Sequence, residues 1–226
     1  MAQLAGDASN RNEDARRGGG PAMALLVGGV CGLAWAAGLR GMMAQVAGPE
    51  STVDWPGTFV WILLPGVVVG LLLGWAEHLR RTGGRRGWRW LALSPLLLAA
   101  VLFSSPGDMG SMFENGIGGG AIGVPLICMA GGYAMSGRGP LWARSVTGVV
   151  ALAAIPVWAA VASSISPRLA LDTPRGAWVA LYYYSFLATL AFACAVPHRA
   201  VQGSAVSSGH SHRAARARAR RPGRAA

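Results

Sequence analysis

The sequence predicts an all-α fold: a polytopic bundle of six transmembrane helices with disordered cytoplasmic tails. Three observations support this prediction. Hydrophobic residues make up 53% of the 226 residues and charged residues only 13%, a composition that is unusual for a soluble domain. A window of about 20 residues, the length that crosses the hydrocarbon core of a bilayer, finds six apolar stretches. All 20 basic residues are arginines, and most of them lie in the tails and in alternate connections between those stretches.

The six predicted spans lie between two polar tails. Residues 1–20 have no periodicity that could bury one face, so we expect a disordered N-terminal tail. The transmembrane domain covers residues 21–198, and an Arg-rich tail that we also expect to be disordered covers residues 199–226. The spans are expected at about residues 22–46, 57–77, 90–105, 116–136, 145–165 and 176–196. The first apolar run is too long for a cleaved secretory signal, so we interpret it as a signal anchor.

The distribution of arginine predicts the orientation of the bundle. The connection between spans two and three contains Arg80, Arg81, Arg85, Arg86 and Arg89. Short loops with this bias stay in the cytoplasm. Alternation then puts 17 of the 20 arginines on the cytoplasmic side, together with both termini. The sequence therefore predicts a multi-pass protein of the cell membrane, and the exclusive use of arginine over lysine is typical of a GC-rich bacterial genome.

Glycines recur at four-residue steps in three of the spans, where they would allow a second helix to approach closely. These glycines are Gly66, Gly70 and Gly74 in span two, Gly119 and Gly123 in span four, and Gly28 and Gly32 in span one. Packing between helices of the same chain is the leading interpretation. A seam between copies in a homo-oligomer and a glycine-lined substrate path are the alternatives.

Arg40 lies near the end of the first span and is the candidate for a charge inside the membrane. If the crossing begins at Met23, Arg40 lies about 25 Å across, where its side chain reaches the outer interface. If the crossing extends to Val46, the guanidinium needs a partner. The acidic residues of the outward loops that could supply it are Glu50, Asp54, Asp108 and Glu114. A structural ion pair and a binding site for a substrate or ion both remain open.

The junction between spans one and two, "LRGMMAQVAGPESTVDWPGTF", resembles that of an uncharacterised family of multi-pass membrane proteins of actinobacteria. The matching residues are Arg40, Met43, Glu50, Trp55, Gly57 and Thr58. The chain departs from the family pattern at Met42 and Ala44, where the family has a Trp and a second Arg. Since the match covers about twenty residues and the family has no assigned activity, the resemblance implies a membrane location only.

The predicted cytoplasmic face is strongly basic. Glu77 ends the second span, and we expect it to pair with Arg80 or Arg81 one turn later. Anionic lipid headgroups are the expected partners of the remaining charges. The candidate contacts are Arg80, Arg81, Arg85, Arg86, Arg216, Arg218, Arg220 and Arg221. Nucleic acid is not an expected partner, because no aromatic residue is interleaved in the tail to stack on bases.

No catalytic constellation is visible in the sequence. Hydrolysis within the membrane needs a nucleophile with a base, or a set of metal ligands, at one depth. The spans contain no mid-membrane histidine or acid, and Cys31, Cys128 and Cys194 are interpreted as small core residues. We therefore predict a non-enzymatic protein with no cofactor or metal and a structural or accessory role. The alternative is a small transporter or channel subunit with a polar cavity near Arg40.

Overall fold

The computed structural model describes residues 20–104 and 117–200, and their regular structure is helical throughout. Seven α-helices are formed in these residues: α1 (Pro21–Ala47), α2 (Leu64–Arg81), α3 (Leu96–Ser104), α4 (Ile117–Met135), α5 (Leu141–Leu152), α6 (Ala154–Ile165) and α7 (Pro174–Ala195). A π-helical segment, Trp55–Leu63, leads into α2. Short 3-10 segments cover Gly48–Glu50, Trp88–Leu93, Pro167–Leu169 and Val196–His198. The predicted all-α class is confirmed.

Four helical stretches of the described residues are long and apolar enough to cross a membrane, which indicates a membrane protein. They are Pro21–Ala47, Trp55–Arg81, Leu141–Ile165 and Pro174–His198, and a shorter apolar stretch covers Ile122–Met135. The four long stretches correspond to predicted spans one, two, five and six. The count of six spans is not confirmed, because predicted span three is divided between the 3-10 segment Trp88–Leu93 and the nine-residue α3.

Prolines mark the irregular points of the long stretches. Pro156 lacks the N–H that would bond to the carbonyl of Leu152, and α5 ends at Leu152. Pro65 likewise deprives the preceding turn of a donor, and that turn is π-helical. In contrast, α4 continues through Pro125. Of these three prolines, Pro156 and Pro65 therefore coincide with the end of a helix or a change of helix type.

The outer surface of the bundle is apolar. Leu26 and Val30 of α1 are 63% and 60% exposed, and Val149 and Leu152 of α5 are 68% and 64% exposed. Such continuous apolar exposure is unusual for a protein surface in water. It is the surface that lipid chains would cover.

Two helix pairs form the frame of the bundle. The first pair, the antiparallel helices α1 and α2, has the most extensive contact. The second pair is α4 and α7, and α5 packs against α4. Helix α1 also contacts α7, which joins the two pairs. We call the end of the bundle that contains Ser51 the Ser51 end, and the opposite end, with the loop after α2, the Gly83 end. The core between them is apolar, with Met42 and Leu169 towards the Ser51 end, Phe186 and Leu190 in the middle, and Trp88 towards the Gly83 end.

Candidate functional site

Arg40 is bound at the Ser51 end through its whole guanidinium group. Its Nη1 donates to Ser51 Oγ at 2.9 Å and its Nε to Thr58 Oγ1 at 3.4 Å. Its Nη2 donates to the carbonyl oxygen of Thr52. Thr58 is 6% exposed, so one of these contacts is made below the surface. Arg40 therefore fastens the loop after α1 to the start of the next span.

The acidic candidates near Arg40 differ in what the structure shows of them. Asp54 accepts a hydrogen bond from the backbone N–H of Gly57 at 2.6 Å. This makes Asp54 the N-cap of the π-helical segment, a position that favours a short acceptor and a negative charge. The side chain of Glu50, and all of Asp108 and Glu114, lie outside what the structure describes.

Two further arginines close over the end of α1. Arg175 Nη2 donates to Gln45 Oε1 at 3.2 Å. The guanidinium of Arg168 lies over Gly48, the residue after the helix, whose φ of 72° is positive. A Cβ at Gly48 would lie 2.9 Å from Arg168 Nη1. Cations are favourable at a helix C-terminus because the free carbonyls carry partial negative charge. These contacts have the character of a structural clamp.

The glycine stripes of spans one and two face each other, and this seam is the closest helix contact that the structure shows. A Cβ built on Gly70 would lie 2.8 Å from the Cα of Gly32 and closer still to the carbonyl oxygen of Gly28. A Cβ on Gly28 would lie 2.9 Å from the Cα of Gly74. Gly66 meets Gly32 and Ala36 in the same way. The backbones of α1 and α2 are thus in direct contact over about two turns of α2, from Gly66 to Gly74.

The glycines predicted in span four are placed differently. A Cβ on Gly123 would meet open space, and the surroundings of Gly119 lie outside what the structure describes. Helix α4 instead approaches α7 through Gly132, where a Cβ would lie 2.6 Å from Cys194 Cβ. The sequence interpretation missed Gly132, because it has no glycine partner at a four-residue step. The only signal in the sequence that could have indicated this contact is that its partner on the last span, Cys194, is also a small residue.

A groove of about 300 Å³ runs beside the seam, between α1, α2 and α7. Its mid-depth lining is apolar and includes Cys31, Trp35 and Leu73. The polar side chains of the lining are Thr189 of α7, whose hydroxyl donates to the carbonyl oxygen of Ser185 at 2.7 Å, and, at the Gly83 end, Glu77, His78 and Arg81. Cys31 is exposed along this groove, whereas Cys128 and Cys194 are buried.

Glu77 lies in ion pairs with both arginines that follow it. Its Oε2 is 2.6 Å from Arg80 Nε, and its Oε1 is 2.6 Å from Arg81 Nε. Arg80 also donates to the carbonyl oxygen of Ala200, just after the last span, at 3.3 Å. Arg85 and Arg86 are exposed in the loop that follows. The candidate lipid contacts in the C-terminal tail, Arg216, Arg218, Arg220 and Arg221, lie outside the described residues.

Aromatic side chains of α7 hold the neighbouring helices through backbone carbonyls. Tyr182 donates its hydroxyl to the carbonyl oxygen of Gly38 at 2.6 Å, and Tyr184 donates to that of Ile155 at 3.0 Å. In the opposite direction, Trp35 Nε1 donates to the carbonyl oxygen of Phe186 at 3.2 Å, and the two rings stack 4.4 Å apart. The hydroxyl groups of Tyr182 and Tyr184 therefore hold neighbouring helices together. Hydropathy could place the aromatic residues in spans but could not pair them.

Within the described residues, no group of three or more His, Cys, Asp or Glu side chains is arranged to hold a metal ion. No protein-family model, no curated protein sequence and no solved structure matches this chain.

Proposed function

We propose that this protein is a six-span integral protein of the bacterial cell membrane with a structural or accessory role. The observation that carries the proposal is the seam between α1 and α2. Gly28 and Gly32 of α1 are so close to Gly66 and Gly70 of α2 that even a methyl group finds no space. No water file fits between two backbones at that separation.

The charges support one orientation of the bundle. The Gly83 end has an arginine-rich loop and contains the end of the last span, and short basic loops remain in the cytoplasm. The Ser51 end contains Asp54 and Asp172 and would face outward. The segment Trp88–Leu93 with α3, and then α4, supply spans three and four of the proposed six. Both termini are then cytoplasmic.

The polar groups of the Ser51 end support a structural role. Each of the three guanidinium nitrogens of Arg40 donates one hydrogen bond to the loop residues Ser51, Thr52 and Thr58. A substrate that replaced these contacts would release this loop. A catalytic role would need an activated nucleophile near a base, and the tyrosine hydroxyls of Tyr182 and Tyr184 are bound to carbonyls instead.

A transporter or channel subunit is the second candidate, and the groove beside the seam is the feature that favours it. The groove opens at the Gly83 end next to Glu77, His78 and Arg81. A transport path would hold water at mid-depth, where a polar group is otherwise costly. The apolar lining around Cys31 argues for lipid chains in that position instead.

The native Cys31 thiol tests the two candidates directly, because it lies exposed along the groove while the other two thiols are buried. A membrane-impermeant maleimide is applied to right-side-out and to inside-out membrane vesicles containing the full chain. An added cysteine at Asp172, which is exposed at the Ser51 end, is the positive control. The proposal predicts labelling of position 172 from outside and no labelling of Cys31 from either side.

Labelling of Cys31 in either vesicle orientation would contradict the proposal and make transport the leading function. The variant Cys31→Ser identifies the reactive position, since any signal from the buried thiols would survive that change. In the unchanged protein, solubilisation in denaturant should expose all three native thiols to the reagent. Their labelling would show that the reagent is active and that the thiols can react.

A further inference from the structure

A second cavity lies at the Gly83 end, away from the seam. It has a volume of about 650 Å³ and is formed where the 3-10 segment Trp88–Leu93 packs against the segment Val196–His198. Its lining includes Arg85, Arg89, His198, Trp88, Trp90 and Leu93. The side chain of Trp88 is buried beneath it, so the floor of the cavity is part of the core.

The cavity has positive charge that the described residues leave uncompensated. Arg85 and Arg89 are exposed, and the guanidinium group of neither has a hydrogen-bond or ion-pair partner among the described residues. Glu77, the nearest described acid along the chain, is already bound by Arg80 and Arg81. Two guanidinium groups that share a cavity, with no carboxylate among its described lining residues, attract an anion.

The same cavity also has an exposed apolar part of its lining. Trp90 is 75% exposed and Leu93 is 43% exposed. Tryptophan at the end of a span prefers the headgroup layer of a bilayer, with its ring against lipid chains. A small free anion would contact only the basic side of such a cavity. A phospholipid would contact both, with its phosphate on the arginines and its chains beside Trp90 and Leu93.

We propose that this cavity is a binding site for an anionic phospholipid of the cytoplasmic leaflet, with Arg85 and Arg89 on the phosphate. His198 also lines the cavity and supplies a further donor from its imidazole. The site rests on the proposed orientation, in which the Gly83 end faces the cytoplasm. It differs from general attraction to a charged surface because it depends on two particular arginines and not on the total charge of the loop.

Native mass spectrometry of the full chain in detergent tests the site. Phosphatidylglycerol and phosphatidylcholine with the same acyl chains are titrated separately, and the retained lipid is counted. We expect phosphatidylglycerol to bind about tenfold more tightly. The variant with Arg85→Gln and Arg89→Gln should lose this preference, and each single variant should lose part of it.

The matched control is Arg86→Gln, which removes the same charge one residue away from Arg85 at a side chain that does not line the cavity. It should retain the preference. An equal loss in Arg86→Gln and in the double variant would overturn the proposal, since a diffuse charge effect would explain both. Equal binding of the two lipids to the unchanged protein would overturn it without any variant.

Inorganic phosphate is the competitor that separates a lipid site from a free-anion site. At millimolar concentration it should leave bound phosphatidylglycerol in place, because it cannot use Trp90 and Leu93. Complete displacement would show a free-anion site and overturn the lipid assignment. Extraction by alkaline carbonate is run in parallel: release from the membrane would refute the proposed function, whereas an embedded protein without lipid preference would refute this inference alone.

Discussion

Substitution of Gly70 by alanine tests whether the seam between α1 and α2 holds the bundle together. The new Cβ would lie 2.8 Å from the Cα of Gly32 and 2.9 Å from its backbone nitrogen. The carbonyl oxygen of Gly28 would be closer still. None of these atoms belongs to a side chain that could rotate away, so the two helices must separate.

The expected cost follows from two opposing contributions. Overpacking of a close-packed interior costs about 1–3 kcal/mol. Replacing glycine by alanine in a helix returns about 0.5–1 kcal/mol. Because every contact of the new methyl group is with backbone, we take the upper part of the overpacking range and expect Gly70→Ala to cost about 2 kcal/mol. For a domain of this size that corresponds to a fall in Tm of about 4–8 °C.

The buried thiols provide the assay. In a Cys31→Ala background, Cys128 and Cys194 are the remaining cysteines, and both are buried. A thiol-reactive fluorogenic dye therefore reports unfolding as the purified protein is heated in mild detergent. The matched control is Gly123→Ala in α4, the same chemical change at a position where the Cβ meets open space. The Tm of Gly123→Ala should be unchanged or slightly raised. A Tm of Gly70→Ala equal to that of Gly123→Ala would refute the packing argument.

Three further predictions concern the polar contacts. Tyr182→Phe removes the hydroxyl that donates to the carbonyl of Gly38 and should lower stability by about 1 kcal/mol; a Tm equal to that of the unchanged protein would show that the bond contributes nothing. Glu77→Gln breaks both ion pairs to the arginines that follow, so Tm should fall by an amount worth at most about 1 kcal/mol, and the fall should shrink as salt is raised. Arg40→Lys keeps the charge but replaces the planar fork by one ammonium group. It should speed hydrogen exchange of Thr52 and Thr58, measured by mass spectrometry, and unaltered exchange there would contradict the loop-fastening role.

Hydropathy alone was sufficient for the long spans. Expected limits of about 22–46 and 57–77 compare with Pro21–Ala47 and Trp55–Arg81 in the structure. A bilayer imposes a length and a composition that are both local in sequence, which is why these elements are predictable. The second stretch extends beyond the expected limits at both ends. Asp54 caps its start, and the ion pairs of Glu77 with Arg80 and Arg81 continue the helix past the apolar run.

The third span shows where local reasoning fails. An apolar run was visible there, but the run contains Pro95, and the structure changes from a 3-10 segment to α3 at that point. On the near side of this point, Trp88 packs with Ala76 and Leu79 of α2 in one buried cluster, a contact that hydropathy does not register. A window of about 20 residues averages over this break.

The candidate site was predictable in its parts and not in its pairings. The stripes of Gly28 and Gly32 and of Gly66 and Gly70 were both visible, yet four-residue spacing does not say which helix a stripe meets. The sequence left open whether Arg40 pairs with an acid, and among the described residues its side chain donates to the hydroxyls of Ser51 and Thr58, while the side chain of Glu50 lies outside what the structure describes. Neutral hydroxyl and carbonyl acceptors occur throughout the sequence, so the sequence does not show which of them Arg40 binds. Only the fold identifies them.

Hydrogen exchange of the full chain in lipid nanodiscs is the most direct test of a dry, packed seam. The amides of residues 28–36 in α1 and 66–74 in α2 are the ones to follow, with the loop at residues 82–87 as the internal reference. A closed backbone contact predicts that the seam amides remain protected through the longest labelling time while the loop exchanges at once. Exchange of residues 66–74 as fast as that of the loop would show water between the two helices and contradict the account.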